Sequence, residues 1–291
     1  MINSQSISIR KEKKRKVDLV MWAKNGAFYL KKTLKRINEV IPNEAVENRI
    51  FVDDDSTDNS REIAKSFQWK TYSNEGMGIG DGANTALRYV KSPYFISFEQ
   101  DLVLAKNWWE KIPKYLNNKN VIAAQGVRLP DLPVLRELQE YRLERNRKLR
   151  RMTHSMDNTI YKTEIMREIG GFPRLPGAGV DSILVQKVLK TKYKWITDYS
   201  VVSLHLRKNV WQDVNRFYWY GLVAPIVSKY DPSINLLRIV KTFFFSPIRG
   251  FHIAIIKNCP QLFIIYPVIR FNVLKGYLDG MKYRKKTMSF N

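Results

Sequence analysis

Disulfide bonds and long apolar runs are what this 291-residue sequence lacks. Its one cysteine, Cys259, cannot form a disulfide within the chain, so we expect a reducing compartment or a fold that needs no covalent cross-link. Cys259 lies in an apolar stretch, which is typical of a packed thiol rather than a reactive one. The longest apolar candidate, 243–274, is interrupted by three basic residues and three prolines, and a simple membrane-spanning helix needs roughly 20 apolar residues.

Acidic residues are few compared with basic ones, 27 Asp and Glu against 50 Lys and Arg, for a formal net charge of +23. A charge of this size concerns partners rather than fold. Nucleic acid, an anionic membrane surface and phosphorylated substrates are all candidates. No helix-turn-helix, zinc-binding or RNP-type signature accompanies the charge, so we expect no specific nucleic-acid partner. The hydrophobic fraction of 44% is ordinary and allows a sizeable core.

Strand and helix signals alternate over the first hundred residues. Short apolar runs predict three strands, at 17–23, 49–52 and 94–98. Apolar residues at helical spacing predict three helices, at 28–40, 60–67 and 82–90. This alternation is typical of an α/β protein with a mostly parallel sheet flanked by helices. Such sheets bind their ligands at the carboxyl ends of the strands.

Acidic residues directly follow two of these predicted strands. Asp53, Asp54 and Asp55 come after the second strand, and Glu99 and Asp101 come after the third. A turn with a helix cap explains the residues that follow Asp55, but it does not explain three consecutive acids after a buried strand. Glu99 and Asp101 can both reach one hard cation, and oxygen ligands suit Mg²⁺ or Mn²⁺. The sequence therefore predicts a metal site that bridges to a diphosphate.

Basic and aromatic residues dominate the chain after about residue 128. A helix predicted at 135–151 carries seven arginines and lysines. These basic residues either form a solvated helix face or bind an acceptor that carries a phosphate. A predicted strand at 194–203 leads to His205, and several aromatic residues follow it. Aromatic side chains suit sugar rings and membrane interfaces, with a helix core as the simple alternative. The mixture of Phe, Ile and Tyr with Lys and Arg in 243–286 is typical of helices that lie in an anionic leaflet.

The order of several short motifs resembles family 2 of the inverting GT-A glycosyltransferases, within the nucleotide-diphospho-sugar transferase superfamily. The motifs are AKNG at 23–26, VDDDSTD at 52–58, NEG at 74–76, GAN at 82–84, EQD at 99–101, GGF at 170–172 and VD at 180–181. Each is weak alone, but they follow the family's order over roughly residues 17–221. The resemblance implies the GT-A fold, which is Rossmann-like, and transfer of a sugar from a UDP- or GDP-linked donor.

The resemblance also implies roles for individual residues. The implied donor-binding residues are Ala23, Asn25, Asp53, Asp54, Asn84, Glu99 and Gln100. The implied ligands of Mn²⁺ or Mg²⁺ are Asp101, Glu99 and His205. Asp181 is implied as the general base that takes a proton from the acceptor. Arg207, Trp211 and Trp219 are candidate acceptor contacts.

The chain departs from the family pattern at three positions. Glu99 replaces the usual first Asp, Asp55 replaces a Gly, and Val180 replaces the acid that usually precedes the base. Two purely structural alternatives also stay open: Asp181 can be a helix cap, and His205 can be a histidine at a strand end that binds no metal.

We expect three segments. A basic, flexible lead-in covers 1–16, and a GT-A domain covers 17–221, with a nucleotide-sugar half at 17–127 and an acceptor half at 128–221. An amphipathic, membrane-associated region covers 222–291. The implied acceptor is a glycan or a polyprenyl-linked molecule, and the enzyme is expected to be peripheral at the cytoplasmic side of the cell membrane. The alternatives are a nucleotide-sugar-binding subunit without catalysis and a basic nucleic-acid-binding protein.

Overall fold

A computed structural model describes residues 15–149, 154–175 and 177–288, and a single sheet runs through this part of the chain. Its eight strands are β1 (Val17–Ala23), β2 (Val46–Asp53), β3 (Lys70–Ser73), β4 (Tyr94–Phe98), β5 (Leu102–Val103), β6 (Val121–Pro130), β7 (Thr159–Lys162) and β8 (Lys194–His205). Their order in the sheet is β3-β2-β1-β4-β7-β6-β8-β5. Of the predicted lead-in at 1–16, residues 1–14 lie outside the described residues.

Eleven α-helices accompany the sheet within the described ranges. They are α1 (Ala27–Val40), α2 (Ser60–Ser66), α3 (Gly78–Tyr89), α4 (Trp108–Lys111), α5 (Pro133–Lys148), α6 (Thr163–Glu168), α7 (Val180–Leu189), α8 (Val210–Val227), α9 (Leu236–Phe244), α10 (Ser246–Ile256) and α11 (Leu262–Met288). Short 3-10 helices cover Asn43–Ala45 and Ile112–Asn117.

The sheet is mixed, which refines the predicted mostly parallel arrangement. Strands β1, β2, β3 and β4 are mutually parallel, and β6 is parallel to β8. β7 lies antiparallel between β4 and β6, and β5 is antiparallel to β8. Six of the eight strands therefore point the same way, and their carboxyl ends meet at one edge. The α/β class with flanking helices is confirmed.

Strand β1 lies at the centre of the core, and six of its seven residues are apolar; the seventh, Asp18, accepts hydrogen bonds from the Lys91 and Ser92 amides. All seven of its residues are buried, because its neighbours cover both edges and helices cover both faces. Val20 and Trp22 pack in the cluster that includes α3 and α7. Leu19 and Met21 point the other way, into the cluster that includes α1. The alternation of faces along the strand assigns each side chain to its own layer.

A further apolar cluster joins the C-terminal helices to the rest of the fold. Leu138 of α5 and Val214 of α8 pack against Ile253 of α10 and Leu262 and Ile269 of α11. The boundary expected at residue 221 falls inside α8, which continues to Val227. The C-terminal helices thus cover α5 and α8 with apolar side chains.

Helices α8 and α11 approach each other closely enough for their backbones to touch. A Cβ atom on Gly276 would overlap the carbonyl oxygen of Tyr218, and one on Gly221 would overlap that of Val273. Gly280 faces the backbone of Leu222 in the same way. Only glycine leaves room for this crossing, because backbone atoms cannot turn aside as a flexible side chain can.

No described helix is by itself long and apolar enough to cross a membrane. Helices α9 and α10, which meet at a 60° bend, satisfy the length and composition criteria only when taken together.

Replacing Gly276 by Ala should destabilise the protein, because the new methyl group meets backbone on α8. We expect the free energy of unfolding to fall by about 1–3 kcal/mol, the usual range for overpacking. Urea unfolding followed by circular dichroism measures it. Gly177→Ala is the matched control, since its methyl group would meet only a Val223 methyl at 4.0 Å. Equal stabilities for the two variants would contradict this account of the crossing.

Candidate active site

Acidic side chains gather where the strand ends meet. β2 ends at Asp53, and Glu99 follows β4 directly. β5 pairs antiparallel with the end of β8, so that Leu102 lies opposite His205. The Leu206 amide then donates to the Asp101 carbonyl oxygen at 2.9 Å. This short pairing carries His205 back to the acids, although it is more than a hundred residues away from them.

Glu99, Asp101 and His205 form a group that can hold a metal ion. Their ligand atoms all lie within 4.8 Å of one another. His205 Nε2 lies 3.1 Å from Glu99 Oε2 and 3.2 Å from Asp101 Oδ1. Two carboxylates and an imidazole fit a divalent cation, and the oxygen ligands favour Mn²⁺ or Mg²⁺. The structure therefore brings together all three residues that the sequence nominated as ligands.

Arg128 balances the charge of this group. Its Nη1 lies 2.6 Å from Glu99 Oε2 and 2.7 Å from Asp157 Oδ1. Burial alone would raise the pKa of Glu99, but Arg128 and His205 overcome that effect and hold its pKa well below the usual range. Asp157 is 1% exposed, and burial raises its pKa although Arg128 opposes the change. One guanidinium thus serves two carboxylates.

Arg207 connects the metal ligands to α8. Its Nη1 lies 3.1 Å from Asp101 Oδ2, and its Nη2 lies 2.7 Å from His205 Nδ1. Its Nε lies 2.9 Å from Asp213 near the start of α8. The side chain predicted to touch the acceptor therefore contacts two metal ligands.

Asp53 has a buried oxygen that the described residues leave without a partner. The side chain is 1% exposed, and its Oδ2 accepts from the Ser56 amide at 3.1 Å and lies 3.0 Å from Arg61 Nε. Its Oδ1 has no hydrogen-bond partner in the described ranges. Asp54 Oδ1 accepts from Asn74 at 2.7 Å. Asp55 has φ of 56°, the left-handed conformation in which a glycine would be unstrained.

Several residues predicted to contact the donor hold the loops of the site in place. The Ala23 carbonyl accepts from the Asp54 amide at 2.9 Å. Gln100 exchanges two hydrogen bonds of 3.1 Å with the Lys24 backbone, and Asn25 Oδ1 accepts from the Thr57 amide at 2.8 Å. These polar groups already have protein partners, so they shape the strand-end loops.

Asn84 lies away from the metal group. Its amide pairs with the backbone of Phe172, donating at 2.8 Å and accepting at 2.9 Å, and so fixes the GGF turn. It lines a cavity of about 680 Å³ that includes none of the three metal ligands. The geometry gives Asn84 a bracing position, and its predicted contact with the donor stays a prediction.

Asp181 lies in the first turn of α7, within electrostatic range of the charged group. Its electrostatic neighbours are Arg128, Glu99 and Asp157. Burial raises its pKa, Arg128 opposes that effect, and the two nearby carboxylates add to it. The N-cap of α7 is Gly179, with φ of 96°, so Asp181 is not the N-cap residue that the simple alternative required. Its carboxylate accepts from the Ser182 amide at 2.9 Å.

A pocket of about 280 Å³ opens between the end of β6, α5 and α8. Its lining includes Arg128, His205 and Arg207 from the charged group, and Tyr220 from α8. Desolvation raises the pKa of the Tyr220 phenol, and the Asp181 carboxylate raises it further. Tyr220 lines the pocket and lies within electrostatic range of Asp181, so the pocket is a candidate acceptor site.

The two tryptophans predicted at the acceptor lie elsewhere. Trp211 is 53% exposed and lines a separate, more apolar cavity of about 730 Å³ together with Cys259. Trp219 is 60% exposed and packs edge-on against Tyr218. Neither lines the pocket of Tyr220, and their contact with an acceptor stays a prediction.

Sequence reasoning missed Arg128, Asp157 and Tyr220 as site residues. Arg128 could have been predicted from the sequence, because it is a charged residue near the end of the apolar run at 121–129. A charge in such a run needs a partner when the strand is buried. Asp157 follows no predicted strand, so nothing local distinguished it.

Arg128→Gln should destabilise the protein, because the buried carboxylate of Asp157 loses its counter-charge. Breaking a buried ion pair by removing one partner costs roughly 3 kcal/mol or more. Urea unfolding measures the loss, and the double variant Arg128→Gln/Asp157→Asn should recover part of it. If the second substitution recovers nothing, charge compensation is not what Arg128 provides.

Comparison with known proteins agrees with this geometry. The family model described as glycosyl transferase family 2 matches residues 18–172, more than half of the chain. No match is found among curated proteins. The mannosyltransferase PcManGT from Pyrobaculum calidifontis, solved with GDP-Man and Mn²⁺, is 16% identical, with a TM-score of 0.65 over 91% of this chain and 87% of that one.

Two other solved structures have the same fold. Glucosyl-3-phosphoglycerate synthase from Mycobacterium tuberculosis, solved with Mn²⁺, UDP and phosphoglyceric acid, is 15% identical, with a TM-score of 0.56 over 75% of this chain and 79% of that one. TarS 1–349 from S. aureus is 15% identical, with a TM-score of 0.53 over 93% and 92%. The strand-end carboxylates, the group able to hold a cation and the family match agree: this chain belongs to glycosyl transferase family 2, and it is a GT-A glycosyltransferase whose Glu99, Asp101 and His205 can hold a divalent metal.

Proposed function

We propose that this glycosyltransferase transfers a sugar, with inversion, from a UDP- or GDP-linked donor to a hydroxyl or phosphate of a glycan or polyprenyl-linked acceptor. The observation that carries the proposal is the position of Asp181. Asp181 lies within electrostatic range of Glu99 and Arg128 and of Tyr220, which lines the pocket. A base, a metal site and an acceptor pocket in one place are what such a transfer requires.

Asp53 supports the donor half of this proposal. Its buried Oδ1 lacks a partner in the described ranges, and a buried acceptor atom of this kind calls for a hydrogen-bond donor. An N–H of uracil or guanine, or a ribose hydroxyl, is such a donor. Two solved relatives contain GDP-Man and UDP, so both nucleotides are candidates. Asp54, adjacent in the same loop, is the second proposed nucleoside contact.

Asp181 supports the transfer step. The acceptor hydroxyl gives its proton to the Asp181 carboxylate while its oxygen bonds to the anomeric carbon. The bond from that carbon to the diphosphate oxygen breaks, and the nucleoside diphosphate leaves from the opposite face, so the configuration inverts. A carboxylate with a raised pKa is a better proton acceptor than an ordinary one. A divalent cation held by Glu99, Asp101 and His205 would neutralise the charge that develops on the diphosphate.

Asp181→Asn should slow transfer strongly and leave donor binding intact. General-base catalysis contributes about 10²- to 10⁴-fold, so the rate should fall by that factor. Thermal unfolding with a panel of UDP- and GDP-sugars, with and without Mn²⁺, should show the same donor-induced rise in Tm for variant and wild type. In the wild type, kcat/KM should fall as the pH drops through the raised pKa of Asp181, because only the ionised carboxylate accepts a proton.

Asp53→Asn is the matched control at the other end of the site. It should lose the donor-induced rise in Tm, because the amide cannot offer the same pair of acceptor oxygens. The proposal fails if no nucleotide sugar stabilises the wild type, or if Asp181→Asn remains fully active.

A second proposal concerns location: the chain binds the anionic cytoplasmic face of the cell membrane through α9 and α10. Four large apolar side chains on these helices are strongly exposed, namely Leu237, Phe244, Ile248 and Ile255. Basic side chains accompany them on the same two helices, namely Arg238, Lys241 and Arg249. Exposed apolar groups with interspersed positive charge suit a bilayer that carries anionic lipids.

The double variant Ile248→Asp/Ile255→Asp should weaken membrane binding. Each isoleucine contributes burial worth about 1.5–3 kcal/mol, so affinity should fall by about tenfold or more per residue. Co-sedimentation of the full chain with phosphatidylserine vesicles and with phosphatidylcholine vesicles measures it. Leu189→Asp at the end of α7, another exposed leucine, is the control. If wild-type protein stays in solution with anionic vesicles at low salt, the membrane proposal is wrong.

A further inference from the structure

Two neighbouring arginines beside the acceptor pocket form no salt bridge with a carboxylate among the described residues, although Asp213 acts on one of them, Arg142, at longer range. Arg142 of α5 lines the pocket, and its guanidinium lies over the ring of Phe217 at 5.0 Å. Arg270 of α11 lies close enough to Arg142 to repel it. Arg270 bonds to the Tyr266 hydroxyl at 2.9 Å, and its buried Nε has no hydrogen-bond partner in the described ranges.

The other arginines of the pocket are compensated. Arg128 faces Glu99 and Asp157, as described above. Arg207 pairs with Asp101 and Asp213, and Arg216 lies 3.7 Å from Asp213. The excess positive charge of the pocket is therefore located at Arg142, with Arg270 beside it.

This excess is unfavourable in the free protein. Burial and, after it, the charge of Arg270 lower the pKa of Arg142 to about 10, and Asp213, which forms no salt bridge with Arg142, opposes the change only in part. Burying a charged group without a counter-charge is costly unless something else supplies the charge. Two like charges held together by three packed helices, α5, α8 and α11, indicate a site that becomes balanced when an anion binds.

The identity of the anion follows from the donor groups. A guanidinium presents a planar fork of N–H groups that matches the oxygens of a phosphate. The same 280 Å³ pocket is lined by Arg142 and by His205, so an anion bound at Arg142 shares a cavity with a metal ligand. Leu135, Leu138 and Phe217 supply apolar lining next to it.

We infer that the Arg142 end of this pocket binds a phosphate group carried by the acceptor substrate. The inference rests on the proposed function in one respect, that the bound molecule is the acceptor of the transfer. The phosphate belongs either to a lipid-linked acceptor or to a water-soluble phosphate ester. Both kinds of acceptor present a phosphate group to Arg142. They differ in the part of the molecule that contacts the apolar residues of the pocket.

Binding of phosphate esters to the full chain in the presence of EDTA tests the inference, because chelation keeps the donor metal out of the measurement. The probes are farnesyl phosphate below its micelle concentration, glycerol 3-phosphate, and farnesol as the phosphate-free match. Arg142→Gln should weaken binding of a phosphate ester by about tenfold or more, the worth of a lost hydrogen bond to a charged group. Arg142→Lys, which keeps the charge but loses the fork, should fall between the two.

Arg147→Gln is the matched control. It removes the same charge from the same helix, but Arg147 is exposed and lies over Tyr199 instead of lining the pocket. Equal effects of Arg142→Gln and Arg147→Gln would overturn the inference, as would equal affinities for farnesol and farnesyl phosphate, or no binding of either phosphate ester. Tighter binding of farnesyl phosphate than of glycerol 3-phosphate identifies a lipid-linked acceptor, and the reverse identifies a soluble one.

Different experimental results would contradict the phosphate site and the proposed sugar transfer. Donor-induced stabilisation with Mn²⁺ should be the same in Arg142→Gln as in the wild type, which also verifies that the variant folds. Arg270→Gln, which acts from α11, should weaken phosphate binding in the same direction. Donor binding without any effect of Arg142→Gln or Arg270→Gln on phosphate affinity overturns the phosphate site alone. Phosphate binding without donor binding overturns the proposed transfer instead.

Discussion

The compensation of several close carboxylates by Arg128 is the interaction on which the site depends. Glu99 and Asp157 share its guanidinium, and Asp181 also lies within its electrostatic reach. Without that positive charge, these acids would repel one another or take up protons in poorly hydrated surroundings. With it, Glu99 stays ionised and available to a cation, while burial raises the pKa of Asp181 against the opposing charge of Arg128. One arginine thus allows neighbouring carboxylates to have different chemical roles.

The local part of this site could be predicted from the sequence, and the rest could not. Acidic residues directly after buried strands predict a ligand-binding site at that edge of the sheet. Asp53, Glu99 and Asp101 could therefore be identified as site residues from the sequence. His205 required the family resemblance, because its approach to Asp101 depends on the pairing of β5 with β8. Arg128 lies on β6 and Glu99 follows β4, and they meet because only β7 lies between these two strands in the sheet. No local pattern encodes that strand order.

The outcome for the polar residues of the motifs shows a second limit. Gln100 and Asn84 match motif positions, yet their amides bond to the backbone of Lys24 and Phe172. A sequence motif gives the residue type at each position. It does not show whether the side chain contacts the ligand or a neighbouring loop. The basic helix α5 shows the same ambiguity, since Arg147 is exposed whereas Arg142, five residues earlier, lines the pocket. Burial separates the two roles, and burial is a property of the folded chain.

The glycine crossing of α8 and α11 has a practical consequence for protein production. Shortening a protein that exposes large apolar side chains on its C-terminal helices, as this one does on α9 and α10, is a common way to improve solubility. Here α8 carries Asp213 and Tyr220, and its backbone rests against Gly276 and Gly280 of α11. A chain cut before residue 262 would bare that surface of α8 and also remove Arg270. Solubility is better sought by changing exposed residues of α10, which leaves the support of the pocket in place.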